Sequence, residues 1–325
     1  MAKEKVNILL LNLGGPRSRE EIRPFLRNLF RDPYIIRIPG GAVMRPVLAE
    51  IISRVRHTKS SKYYDLIGGY SPLYDIMQKQ AAALKEALSG EFDAKVVIGM
   101  RYSDPDTESA IDKIPDGEKL IVLPMYPHFS ETTTASSIYE FYRVLKKSGK
   151  KPVIDIITDF RTDPDYTGAF AKMINERMAK IDENSFKKLA LVFSAHSTPR
   201  KLVEEGDPYY WHTQDTVAAI MEKVEKPADH FVSFQSKAGP TPWLEPATDD
   251  MIRELAGKGY DALIMVPVSF TADNLETLYE MDILFKGIAD EVGIKYFERI
   301  PALNDDPVFI ECLKKLVLES WKKLS

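Results

Sequence analysis

Short apolar runs alternate with longer amphipathic stretches along the whole chain. Val6–Leu13, Lys95–Arg101, Lys119–Pro124, Val153–Thr158, Leu189–Phe193, His230–Gln235, Ala262–Val268 and Lys295–Phe297 are the runs, and their Val, Ile and Leu content predicts a strand at each. Between them, Ser71–Leu88, Asp163–Ile181, Asp207–Val224 and Thr248–Lys258 read as amphipathic helices. Apolar strands alternating with helices imply parallel sheets covered on both faces. The predicted fold class is α/β: two similar Rossmann-like domains, each a parallel sheet flanked by helices, with a cleft between them. In such sheets ligands sit beyond the carboxyl ends of the strands.

The two halves echo each other. LIVLPMYPHFSETTTASSIYE (120–140) and LIMVPVSFTADNLETLYE (263–280) share an apolar strand, a proline and a closing Tyr-Glu; LLLNLGGPRSREE and LVFSAHSTPRKLVEE both run strand, small-residue turn, Pro-Arg and acidic helix start. Duplication of one unit would leave such echoes, and so would chance similarity between two α/β units. The expected division is residues 1–150 plus a C-terminal helix at about 303–325, forming an N-terminal domain, and residues 151–302, forming a C-terminal domain. The linker is expected near Gly149–Pro152.

At 325 residues the chain is large enough for two cores. A formal charge of −4 provides no basic excess for general nucleic-acid binding. The lone Cys312 excludes an intramolecular disulfide and any all-cysteine zinc or iron–sulfur site, which suits a reducing compartment. The N-terminal apolar run is too short for a secretory signal, and no stretch reaches the roughly 18–20 apolar residues of a membrane span. A cytoplasmic protein is expected. Residues 29–57 mix apolar and basic side chains; a basic amphipathic helix folded over a pocket and a peripheral membrane contact both fit them.

Three strand ends concentrate unusual residues. His196, one of five histidines, closes the apolar strand of LVFSAHSTP, a ligand position in this fold class, although a lone histidine at a turn is often structural. In TADNLETLYEMD, Asp273, Glu276 and Glu280 stand at i, i+3 and i+7, so an α-helix would place all three on one face. An acidic ladder directly after a buried strand suits cation passage or proton transfer. Arg101, Tyr102, Tyr126, Phe129, Trp243 and Phe270 together suit a large flat apolar ligand carrying carboxylates. With no HExxH, no CxxC and no spaced histidine cluster, the chain offers a plausible transient metal site and a poor permanent one.

These motifs resemble the ferrochelatases, class II chelatases that insert ferrous iron into a porphyrin to make haem. LLLNLGGP, LVFSAHSTP followed by GDPYYW, FQSKAGPTPWLEP, VPVSFTADNLETLYEMD and PALNDDP carry the resemblance, in that order and across nearly all of the chain. It implies a class II chelatase fold, with porphyrin and Fe(II) as substrates, no permanently bound cofactor, no iron–sulfur cluster and a monomer. It also implies roles: His196 as the active-site histidine that removes pyrrole protons or binds metal, and Glu276 as the catalytic glutamate facing it across the macrocycle, the two forming the transient metal site. Asp273 and Glu280 would belong to a metal or proton conduit. Leu13, Arg101, Tyr102, Trp243 and Phe270 match positions lining the porphyrin, and Arg56, Tyr64 and Ser71 match a lip segment.

The chain departs from that pattern in two places. With a single cysteine and an end at Ser325, the C-terminal iron–sulfur extension of some members is not expected, nor is that route to dimerisation. Members of the family usually carry histidine where Asn274 stands, and asparagine cannot relay protons. Members that use coproporphyrin often carry tyrosine where Leu13 stands, which favours protoporphyrin IX over coproporphyrin III. A chelatase for another metal or tetrapyrrole, a non-catalytic porphyrin or haem carrier, and a two-domain sugar or phosphate binder are the alternatives.

Overall fold

A computed structural model describes residues 3–38, 41–182 and 185–324. Pro39 and Gly40, within the basic and apolar stretch, and Ser325, at the end of the expected C-terminal helix, lie outside the described residues. The strands are β1 (Glu4–Asn12), β2 (Phe92–Met100), β3 (Lys119–Pro124), β4 (Val153–Ile156), β5 (Leu189–His196), β6 (Asp229–Gln235), β7 (Ala262–Val266) and β8 (Tyr296–Arg299). Each expected apolar run lies on one of them. The helices are α1 (Ile22–Arg31), α2 (Gly41–Asp65), α3 (Leu73–Ala87), α4 (Thr107–Asp112), α5 (Ser136–Ser148), α6 (Pro164–Ala179), α7 (Arg200–Glu204), α8 (Tyr209–Met221), α9 (Thr248–Gly257), α10 (Lys286–Glu291) and α11 (Pro307–Leu324). Two segments, Glu131–Ala135 and Glu276–Phe285, are wound as π-helix.

The chain divides into two compact units, Met1–Asp159 with Ile310–Ser325, and Phe160–Phe309. The expected linker at Gly149–Pro152 falls inside the first unit, because Val153–Ile156 pairs with β3 as a fourth strand. The first unit holds an all-parallel sheet of order β2-β1-β3-β4. Its central strands β1 and β3 bury nearly every residue, as strands covered on both faces must. Leu9, Leu11, Val122 and Phe141 anchor one of its cores; truncating such a side chain to alanine costs about 2–5 kcal/mol. The last turns of α11 close this unit: the Trp321 ring meets Phe92 edge-on at 5.0 Å, and Lys119 Nζ lies 4.1 Å from its centroid.

The second unit repeats the plan with order β6-β5-β7-β8, again all parallel. The register makes the repetition specific. Leu10 pairs with Leu123 in the first sheet, and Phe193 with Val266 in the second; a proline follows Leu123 and another follows Val266. Met100 N–H donates to Pro105 O, and Phe234 N–H donates to Pro246 O. By these matches Leu13 corresponds to His196, Arg101 to Gln235, and Tyr102 to Ser236. A π-helical segment follows the third strand of each unit.

In α2 the packing inverts the expectation of an apolar face folded inward. Its buried residues are Gly41, Ala49, Ser53, Ser61 and Tyr64, whereas Val43, Met44, Val47, Ile51 and Val55 are exposed. Small side chains let α2 approach α1 closely and leave the larger apolar ones outside. Among the described residues, no helix is long and apolar enough to cross a membrane.

Candidate active site

The second unit gathers its polar chemistry where β5 and β6 end. His196 and Gln235 are paired across the strands, and His196 N–H donates to Ser269 Oγ at 3.0 Å. Tyr209 Oη donates to the His196 carbonyl at 2.8 Å, which fixes the backbone from the other side. The imidazole Nδ1 lies 2.6 Å from Ser197 O. A carbonyl can only accept, so Nδ1 carries the proton and Nε2 keeps its lone pair. Burial holds the His196 pKa below its usual 6.5, opposed by the negative charge of Glu280 and by the bond to Ser197.

Glu276 and Glu280 stand one turn apart on the π-helical segment. Burial raises the pKa of both above the usual carboxylate range. For Glu280, the negative charge of Glu276 adds to the rise, while Ser236 Oγ at 2.6 Å, His196, and Gln235 Nε2 at 3.1 Å oppose it. Gln235 Nε2 also donates to Glu276 O at 2.9 Å, and Ser194 Oγ donates to Gln235 Oε1 at 2.7 Å. Ser194 thereby orients the amide with its NH₂ toward the acids. Ser236 holds φ at +67°, a left-handed conformation costly for a residue with a Cβ and common at functional sites.

Asp273 does not join these acids. The π winding closes bonds from i to i+5 and breaks the common face that i, i+3 and i+7 would share on an α-helix. Asp273 instead precedes the segment, and its carboxylate accepts from Arg299, Asn304 and Thr277, each at 2.8 Å. That carboxylate is bonded to three structural partners, and the shared face expected of an α-helix does not form. Asn274 caps the segment, its Oδ1 accepting from Thr277 N–H at 3.1 Å. Phe270 belongs to the core, packed with Met281 and Phe285. Trp243 is half-buried, and its enclosed indole N–H has no partner among the described residues.

In the first unit, the equivalent sheet end is closed by an ion-pair network. Arg101 Nη2 lies 2.8 Å from Asp32 Oδ2, and Nη1 lies 3.7 Å from Glu140. Tyr102 Oη donates to Asp32 at 2.7 Å, Ser136 Oγ donates to the same oxygen, and Arg101 Nε donates to Ser136 Oγ at 3.0 Å. Tyr102 is 1 % exposed, so it supports this network and cannot be a wall contact in this conformation. Tyr64 and Ser71 are buried as well. Ser71 crowds Gly15, where an added Cβ would sit 2.7 Å from the serine side chain. Leu13 is half-buried, and its carbonyl accepts from Tyr102 N–H at 3.0 Å. Arg56 is exposed and stacks on Phe30, 5.6 Å from the ring centroid.

Asp32, Gln235, Ser236, Tyr209 and Arg299 escaped the residue-by-residue reading. Gln235 and Ser236 open the FQSKAGPTPWLEP motif and Tyr209 lies in GDPYYW, so the motifs held a signal for these three. Among the described residues, no group of three or more His, Cys, Asp or Glu is arranged to hold a metal ion.

A family model described as Ferrochelatase matches residues 5–321. The chain belongs to the ferrochelatase family. It is 44 % identical over 316 residues to a ferrochelatase of Geotalea uraniireducens, covering 97 % of each chain. It is 42 % identical over 327 residues to a ferrochelatase of Synechocystis, covering 97 % of this chain and 82 % of that one. Two solved chelatases share the fold at low identity. SirB from Bacillus subtilis with Fe3+ superposes with a TM-score of 0.53 at 11 % identity, covering 98 % of this chain and 95 % of that one. CbiX, the terminal enzyme for siroheme biosynthesis in denitrifying bacteria, gives 0.52 at 12 % identity, covering 97 % and 99 %. The chain is thus a metal chelatase, a lyase of haem biosynthesis with ferrous iron and a porphyrin as substrates, which sets aside the carrier and sugar-binder alternatives.

Proposed function

We propose that this ferrochelatase uses His196 and the carboxylates Glu276 and Glu280 at the reacting centre, with protoporphyrin IX as its porphyrin. The observation that carries the reading is the imidazole at the end of β5, with Nδ1–H held by Ser197 O and Nε2 left as a base beside Glu280. Metallation of a free-base porphyrin forms four nitrogen–iron bonds and releases two pyrrole protons. Neutral His196 accepts one of them at Nε2, and a carboxylate of the acidic pair, made more basic than usual by burial, accepts the other. Before that transfer, ionised Glu280 and Glu276 attract Fe(II) and, with no cage of three or more His, Cys, Asp or Glu ligands among the described residues, release it to the ring nitrogens. Trp243 and Leu13 are proposed porphyrin contacts. Leucine rather than tyrosine at position 13 supports protoporphyrin IX over coproporphyrin III.

Anaerobic Fe(II) insertion, followed by loss of porphyrin fluorescence with the two porphyrins in parallel, tests the reading. Faster turnover of protoporphyrin IX, abolished in His196→Ala and Glu276→Gln with porphyrin binding retained, is the expected result. Faster coproporphyrin III turnover would overturn the substrate assignment, and an active His196→Ala the assignment of the base.

The exposed stripe on α2 favours a second reading, peripheral contact with an anionic lipid surface. Val43, Val47, Ile51 and Val55 recur at four-residue spacing, and the helix carries Arg45, Arg54, Arg56, Lys59 and Lys62 against Glu50 and Asp65. Co-flotation with phosphatidylglycerol vesicles, lost in Val47→Glu/Ile51→Glu and absent with neutral vesicles, is the expected outcome. Failure of the unaltered chain to float would end this second reading.

A further inference from the structure

Glu276–Phe285 makes ten consecutive π-helical residues, whereas this winding ordinarily appears as a single turn inside an α-helix. A wider turn sustained that long needs something to hold it. Arg299, the last residue of β8, reaches both ends of the stretch that carries the acids. Its Nε and Nη2 donate to Asp282 Oδ1 and Oδ2, each at 2.8 Å. Its Nη1 donates to Asp273 Oδ1 at 2.8 Å and to Ile300 O at 3.1 Å. The arginine side chain is 8 % exposed and that of Asp273 13 %, so solvent screens the contact little.

Asp273 is itself fastened from three further directions. Thr277 Oγ1 and Asn304 Nδ2 donate to its carboxylate, and its own N–H donates to Asn304 Oδ1 at 2.9 Å. Asn304 holds φ at +48°, a left-handed conformation that asparagine tolerates better than other residues with a Cβ.

The geometry points to Arg299 as a positioning residue: by bridging Asp273 and Asp282 it sets the winding of the segment, and with it the directions of Glu276 and Glu280. The inference rests on the proposed role of those two acids. Rewinding the segment with i to i+4 bonds would turn Asp282 about the axis relative to Asp273. A planar guanidinium, with donors in a fixed fork, could not then satisfy both carboxylates. Glu276 and Glu280 lie between the two anchored residues, so they turn with the same rewinding. The clasp also occupies the arginine charge with Asp273 and Asp282 and keeps it off the reacting acids.

The test uses the full chain with Arg299→Gln, Arg299→Lys, Asp282→Asn and Glu280→Gln. Backbone hydrogen exchange over residues 274–286 is compared with that of β5 and β6, and KM for Fe(II) is separated from kcat at saturating porphyrin. Arg299→Gln and Asp282→Asn are expected to lose protection over 274–286 while β5 and β6 keep theirs. KM for Fe(II) should rise about 10–100-fold, the range for residues that orient metal-handling side chains. Arg299→Lys keeps the charge without the fork and should fall on the same side; if Arg299→Gln does not fold, this variant and Asp282→Asn carry the test. Unchanged exchange over 274–286, or an Arg299→Lys variant matching the unaltered chain in both readouts, would overturn the clasp. Should Glu280→Gln insert iron normally, the role proposed for the acids falls. Should it be impaired while Arg299→Gln is not, the positioning role falls and the acids keep theirs.

Discussion

Leu13 and His196 occupy the same place in two sheets of the same order, and Arg101 and Gln235 the same place beside them. In the first unit the Arg101 guanidinium meets Asp32 and Glu140, and Tyr102 and Ser136 complete the bonding of the buried Asp32 carboxylate. Each buried charge there has its counter-charge. In the second unit a neutral amide stands where the guanidinium would be, and Glu280 receives bonds from Gln235 and Ser236, with no lysine or arginine paired to it among the described residues. Burial then outweighs the opposing hydrogen bonds and charges, raising the carboxylates and lowering the histidine toward each other. An arginine in place of Gln235 would hold Glu280 ionised and end its proposed use as a base. The same frame therefore supports an ion-pair cluster in one unit and the groups proposed to exchange protons in the other, and the difference lies in which charges are neutralised.

The comparison breaks first at its chemical end. Removing the imidazole in His196→Ala should lower iron insertion by about 10²–10⁴-fold, the range for a positioned general base, with porphyrin binding retained by fluorescence titration. The corresponding loss in the first unit should appear in stability. Asp32→Ala strands the buried Arg101 and should cost about 3–5 kcal/mol, as breaking one partner of a buried pair does. Urea unfolding followed through Trp321, in a background with Trp211 and Trp243 replaced by phenylalanine, reports on that unit. If Asp32→Ala costs under a kilocalorie while retaining structure, the first network is not a closed ion-pair cluster.

How much of this arrangement was legible in the chain follows from what each signal encodes. The strands were readable because Val, Ile and Leu runs of strand length admit few other structures in an α/β alternation, and His196 because a histidine closing such a run is conspicuous. The acidic helix was readable as a helix but not as a π-helix, since over ten residues the apolar pattern does not separate the two windings. Asp273 was therefore grouped with Glu276 and Glu280, when its partner is Arg299, on a strand that begins far along the chain. Tyr102 reads as a pocket aromatic until Asp32 is known to lie against its hydroxyl. The outward stripe of α2 was hidden for the opposite reason: apolar residues are expected to face inward, and here Ala49 and Ser53 do so in their place.

The pH dependence sharpens the contrast. His196 must be neutral to accept a proton, so the acid limb of the insertion rate should lie below its usual 6.5. Glu280 opposes that shift, and Glu280→Gln should move the limb to still lower pH while slowing insertion. Stability carries matching signs. Below 6.5 the unfolded chain binds a proton at His196 that the folded chain resists, so stability falls as pH drops toward the folded value. Above 4.5 the folded chain keeps protons on Glu276 and Glu280 that the unfolded chain has released, so stability falls as pH rises toward their folded values. Glu280→Gln removes one of these latter penalties and should therefore melt above the unaltered chain at pH 8, with the gain vanishing near pH 4. An equal or lower Tm at pH 8 would mean that the carboxylate is not held against its charge.

The smallest effect should come from Asn274, where the family usually carries histidine. Its Oδ1 accepts from Thr277 N–H, and its own N–H donates to Thr277 Oγ1 at 3.0 Å, a reciprocal cap on the segment that carries the acids. An asparagine cap is worth about 0.5–2 kcal/mol, so Asn274→Ala should lose roughly that much stability. Asn274→His tests whether the position does more. An imidazole is too bulky to reproduce the cap, so the variant should lose stability by a similar amount. If capping is the whole role, its insertion rate per folded molecule stays unchanged. A proton-relay role makes the opposite demand: despite the weaker cap, Asn274→His would insert iron faster than the unaltered chain and show a new titration near neutral pH that Asn274→Ala lacks.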